Sequence, residues 1–132
     1  MEVGSQAGRD AWQGMSDAFN SECPAREVFE HITGRWGMLI LAALGDGPRR
    51  FSELHETVGG ISEKMLSQTL RTLVRDGLVA RTVEPTSPPR VSYELTPLGL
   101  GLTKSLDQFL GWIRQYTIDV VTAQRRYDQQ HR

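Results

Sequence analysis

The chain has 132 residues, 39% apolar and 23% charged, with a formal net charge of −1, enough for one domain with a modest core. Its pI of about 6.3 excludes a protein that coats nucleic acid indiscriminately. No apolar run reaches the roughly 18–20 residues that span a bilayer, and the one cysteine cannot form an internal disulfide. The start, MEVGSQAGRDAWQGMS, lacks a basic segment followed by an apolar core, so it does not read as a secretory signal. A reducing, cytoplasmic location is the expectation.

Charge is uneven along the chain. Residues 1–47 hold three cations against seven acids, whereas residues 48–90 hold seven cations against five acids. The middle is therefore the electropositive part, and placement matters more than the sum. In chain order, Trp12, Met15 and Phe19 suggest a short amphipathic helix over about residues 10–20. Pro24 suits a first helical turn, Val28, Phe29 and Ile32 give that helix an apolar face, and Gly34 ends it. Trp36 to Leu44 reads as a buried helix stopped by Gly45-Asp46-Gly47-Pro48. Ser52 is the expected N-cap of a short helix carrying Leu54 and Val58, and Gly59-Gly60 forms a turn. Ser62 caps a further helix that runs to about Asp76 and stops at Gly77. Two helices joined by a short Gly-bearing turn make a helix-turn-helix.

LVARTVEPTSPPRVSYEL then alternates like a β-hairpin, and three prolines stiffen its loop. A stiff projecting hairpin after a helix-turn-helix is a wing. Thr96-Pro97 opens the last helix, with Leu98, Leu102, Leu106, Phe109, Ile113, Tyr116 and Val120 on one stripe to about residue 125. The polar tail RRYDQQHR is expected to fray. So long an apolar stripe calls for a second copy of the chain, and Leu102 to Val120 are the expected dimer interface. The fold class is mainly α with a small β-hairpin: an N-terminal extension (1–22), a winged helix-turn-helix (23–96) and a C-terminal dimerisation helix with tail (97–132).

This pattern resembles the HxlR-type family of bacterial winged helix-turn-helix transcriptional regulators. The carriers are Cys23-Pro24, Gly34-Arg35-Trp36, the run Arg50 to Leu54, the run Gly60 to Leu66, and the block from Pro88 to Thr96. The resemblance spans Cys23 to about Tyr116. It implies a homodimer that binds double-stranded operator DNA, and some members respond to electrophiles or oxidants. Residues 1–22 extend beyond the usual start, Arg35 replaces a common Lys, and Leu100 and Gly101 stand where polar or basic residues often follow.

Within the second helix of the motif, Lys64, Gln68, Arg71 and Arg75 fall at i, i+4, i+7 and i+11 on one face. Most such stripes are solvated surface. Here the helix-turn-helix context turns the stripe toward a major groove, where Arg and Lys donate to guanine or phosphate and Gln pairs with adenine. Ser62, Lys64, Ser67 and Gln68 occupy the deeper-entering half. Arg71 suits a base edge or phosphate, and Arg75 a phosphate or a structural salt bridge. Arg90 on the wing is assigned to the flanking minor groove or its phosphates, and Arg49 and Arg50 to the neighbourhood of the backbone crossing. A winged-helix module that binds protein instead of DNA is the alternative.

Cys23 has two readings: an idle small residue at a helix start, or a redox or electrophile sensor. A helix N-terminus favours a thiolate, and Arg26 and His31 are local candidates for further bias against Glu22 and Glu27. With no second cysteine, oxidation would join two subunits or capture a small thiol. Trp36, Trp112 and Tyr116 either pack or line a ligand pocket between dimer helices, which leaves a small-molecule inducer open. His31, His55 and His131 lack metal-ligand spacing, and no phosphate-cradling loop, nucleophile elbow or triad is present. No enzyme, cofactor or metal is expected.

Overall fold

The computed structural model describes residues 16–132. Trp12 and Met15, and most of the expected helix over about 10–20, lie outside the described residues; residues 16–20 are not helical, with a turn at Ala18 and Phe19, and Phe19 is exposed.

Helix α1 (Pro24–Thr33) begins at the expected proline, and the N–H of Gly34 closes it on Glu30 O at 2.8 Å. The corner that follows needs glycine: a Cβ on Gly37 would sit 2.1 Å from His31 O. None of the α1 residues is buried, and Val28 and Phe29 stay exposed. Helix α2 (Gly37–Ala43) drives Ile40 and Leu41 into the core and tightens into a 3₁₀ turn at Leu44–Asp46.

Strand β1 (Arg49–Arg50) leads directly into α3 (Phe51–Thr57). Ser52 was expected to cap this helix, but it lies inside it. Arg50 is already extended in the strand, and Glu53 Oε1 accepts its N–H at 2.9 Å, so Arg50 takes the N-cap position and the helix opens two residues earlier. Leu54 and Val58 are buried, and the turn passes through Gly60 at φ +86°.

Helix α4 (Glu63–Arg75) is capped by Ser62, whose Oγ accepts from Met65 N–H at 3.0 Å. Leu66, Leu70 and Leu73 are wholly enclosed. At its end, Leu78 N–H reaches Leu73 O and Gly77 N–H reaches Val74 O. That reciprocal pair requires the left-handed Gly77, at φ +75°.

Strands β2 (Val79–Glu84) and β3 (Arg90–Leu95) pair antiparallel from Val79↔Leu95 to Glu84↔Arg90. The expected two-stranded hairpin is joined by β1 along β3, giving the order β1-β3-β2. Two residues of strand are too few to show alternation in the sequence.

Thr96 caps α5 (Pro97–Leu100) by accepting from Gly99 N–H, and its hydroxyl donates to Gly77 O at 2.6 Å. The expected unbroken final helix is in fact two. Gly99 packs so closely on Leu78 that a Cβ would lie 2.2 Å from its carbonyl oxygen, and Gly101 and Leu102 turn the chain into α6 (Thr103–Gln130). The 28 residues of α6 extend roughly 42 Å. They include most of the tail that was expected to fray, where Tyr127 stacks on His131 at 3.9 Å between ring centroids. The core gathers Ile40, Leu41, Leu44, Leu54, Leu66, Leu70, Leu73, Val79 and Leu106 between α2, α3, α4, the sheet and the start of α6.

Candidate nucleic-acid interface

Burial divides α4 into two faces. Leu66, Leu70 and Leu73 anchor it, and Ser62, Lys64, Ser67, Gln68, Arg71 and Arg75 are all exposed. Helical geometry sets the stripe opposite the leucines. Arg75 is the exception in role: its Nη1 lies 4.0 Å from Glu27 Oε1, so its salt-bridge reading has a partner on α1. Both side chains are largely exposed, which makes the pair weak. Among the described residues, Lys64 and Arg71 have no carboxylate within 4.0 Å.

The sheet contributes a residue that sequence reasoning missed. Arg81, Tyr93 and Arg49 stand in register across β2, β3 and β1, on the same face as the buried Val79 and Leu95. That face turns toward α4. Ser67, Arg71 and Val74 meet Arg81 and Tyr93 around a cleft of about 380 Å³. The alternation Val79-Arg81-Val83 was the available signal for Arg81.

The other arginines separate. Arg49 is half-buried with its Nε enclosed and unpaired, whereas Arg50 is exposed. Arg90 is exposed opposite Glu84, on the sheet face away from Arg81. The structure therefore brings Ser67, Arg71 and Arg81 together and leaves Arg90 apart from them.

The apolar stripe of α6 also divides. Leu106 is buried in the core of its own chain and Leu102 packs against that core. Leu106 therefore has no surface left for the interface expected of it. Phe109, Trp112, Ile113, Tyr116 and Val120 remain exposed, with the Trp112 and Tyr116 rings tilted at 39° to one another, 5.3 Å between centroids. Trp36 packs elsewhere, against the core and beside α4.

Cys23 occupies the N-cap of α1 and is buried, with its Sγ accepting from Asp17 N–H at 3.2 Å. Arg26 donates to the carbonyls of Ala18 and Phe19 at 2.7 and 3.0 Å, which fastens the segment before α1. His31 is directed to Asp76. No group of three His, Cys, Asp or Glu among the described residues is placed to hold a metal, and no described helix is long and apolar enough to cross a membrane.

A compact helical core, α3 and α4 joined by a glycine turn, and a stiff hairpin beside α4 define the winged helix-turn-helix class. The profile of the HxlR-like helix-turn-helix family matches residues 31–120. The HTH-type transcriptional regulator YtfH of Escherichia coli K12 is 48% identical over 95 residues, covering 72% of this chain and 75% of its own. The structure of the transcriptional regulator ytfH from Salmonella typhimurium has 46% identity and a TM-score of 0.76, over 83% of this chain and 97% of that one. The reduced form of the transcriptional regulator YodB from Bacillus subtilis has 36% identity and a TM-score of 0.61, over 70% and 91% respectively. YodB is also solved after diamide treatment. The chain belongs to the HxlR-like helix-turn-helix family, whose members named here are transcriptional regulators.

Proposed function

We propose that this chain regulates transcription in the cytoplasm as a homodimer, with α4 of each copy in the major groove of a pseudo-palindromic operator. The observation that carries the reading is the division of α4: its leucines are enclosed, while Lys64, Gln68 and Arg71 face solvent and Arg71 lines the cleft shared with Arg81. Gln68 and Arg71 supply the donors and acceptors that match base edges, and Arg81, Arg50 and Arg90 supply backbone charge. Phe109, Ile113, Tyr116 and Val120 form the surface for the second copy. Two symmetry-related readers would place half-sites about one helical turn apart, roughly 34 Å, or a multiple of it.

The decisive experiment is selection of duplexes bound from a random-sequence pool. The expected result is a two-fold symmetric consensus; recovery of unrelated sequences overturns the reading. The redox reading of Cys23 draws support from its place at the α1 N-cap and from the similarity to YodB. Because the thiol is buried, the segment over residues 17–22 must open before an oxidant reaches it. Oxidant-induced release of the selected duplex, abolished in Cys23→Ser, is expected; release that persists in the variant removes Cys23 from the mechanism.

A further inference from the structure

A second cleft lies on the flank of α4 away from the wing. It has a volume of about 460 Å³ and is bounded by Arg35, Trp36, Gln68, Thr69 and Thr72. The corner between α1 and α2 that forms its far wall is rigid, since Gly34 and Gly37 each sit where a Cβ would run into the backbone of α1. Trp36 packs against the core, and its ring tip would lie 3.9 Å from a Cβ built on Gly60. The ring therefore reaches the turn of the helix-turn-helix. Arg35 extends over that ring, with Cζ 4.8 Å from the centroid. It is exposed, and no carboxylate among the described residues lies within 4.0 Å of it.

We propose that Arg35, held over Trp36 beside Gln68, grips a backbone phosphate of the operator on the side of α4 opposite the hairpin. This rests on the reading of α4 as the major-groove helix. Several features fit an anion at this place. A guanidinium stacked on an indole loses less freedom on binding than a free one, because its plane is already set. Its donors remain open to an oxygen-rich ligand. Gln68 belongs to both the reading stripe and this cleft, so a duplex that meets Gln68 brings a sugar–phosphate strand along the rim where Arg35 stands. With Arg81 on the other flank, α4 is bracketed by one cation on each side of the groove.

The test uses the full chain and a duplex that the wild type selects from random DNA. Affinity is followed against KCl for wild type, Arg35→Gln and Arg35→Lys. Each lost phosphate contact flattens the plot of log K against log salt by about 0.9, so a dimer of Arg35→Gln should lose roughly twice that while keeping the same consensus sequence. Arg35→Lys should restore most of the slope. Replacing single phosphates with neutral methylphosphonates should reveal one position per half-site that weakens wild type and leaves Arg35→Gln unaffected. An unchanged slope in Arg35→Gln, with or without loss of affinity, overturns the assignment while leaving α4 as the reader. Failure of the wild type to bind any duplex instead removes the reading of α4 on which it rests.

Discussion

His31 Nδ1 lies 2.7 Å from Asp76 Oδ2, so the last turn of α1 is tied to the residue that ends α4. A carboxylate only accepts, so the imidazole carries its proton on Nδ1. The other ring nitrogen faces Glu27 at 3.6 Å, and Glu27 in turn reaches toward Arg75. The side chains of His31 and Asp76 are mostly enclosed, with 22% and 13% exposure, which lifts this pair above an ordinary surface contact. Replacing His31 by Ala and Asp76 by Asn, singly and together, should give a coupling energy of about 1–2 kcal/mol. Urea unfolding at one fixed protein concentration measures it. Simple additivity of the two substitutions would show that the pair contributes nothing.

Thr96 makes a comparable link at the next residue along, Gly77. Its hydroxyl donates to Gly77 O, and the same oxygen accepts from Gly99 N–H, so one side chain fastens the end of α4 to the start of α5. Thr96→Val keeps the shape and removes both bonds. The expected loss is about 1–2 kcal/mol of unfolding free energy. Thr86→Val in the exposed wing loop should cost under about 0.5 kcal/mol by comparison.

The helix α4 was legible because its sequence separates cleanly: Leu66, Leu70 and Leu73 against Lys64, Gln68 and Arg71, with Ser62 and Gly77 marking the ends. The wing was legible through alternation and prolines. Strand β1 was not, since Arg49 and Arg50 gain their extended form from pairing with Tyr93 and Ser92, more than forty positions away. The break before α6 was hidden by the stripe itself. Leu98, Leu102 and Leu106 continue the helical period, yet Leu98 ends exposed because the close approach of Gly99 to Leu78 redirects the chain. Nor does a stripe say what covers it, which is why Leu106 fell to the core and Ile113 to the surface. Arg81 needed the docked hairpin before its side could be related to α4.

Base-reading and backbone contacts should leave different signatures. Gln68→Ala is expected to weaken binding to the selected duplex by about 1–3 kcal/mol and to relax preference at one position per half-site. Arg81→Ala should weaken binding to all duplexes by a similar factor and flatten the salt dependence, because a phosphate contact carries no sequence information. Repeating the selection with each variant separates the two. A Gln68→Ala consensus identical to that of wild type would exclude Gln68 as a base contact.

The exposed face of α6 is apolar over several turns. Phe109, Trp112, Ile113, Tyr116 and Val120 follow one another along one side of a helix whose opposite end is already anchored through Leu106. Val28 and Phe29 on α1 are likewise uncovered. A single chain leaves this surface in water at a cost of about 25 cal/mol for each Å², and contiguous apolar area of this kind marks an interaction site. A glutamate in the middle of the face would have to be buried unpaired in a dimer, at several kcal/mol, but is harmless on a free helix. Ile113→Glu should therefore sediment as a folded monomer at micromolar concentration where wild type sediments as a dimer, with unchanged helix content by circular dichroism. Its affinity for the selected duplex should fall to that of one half-site. A wild type that is already monomeric would place the function of this face elsewhere.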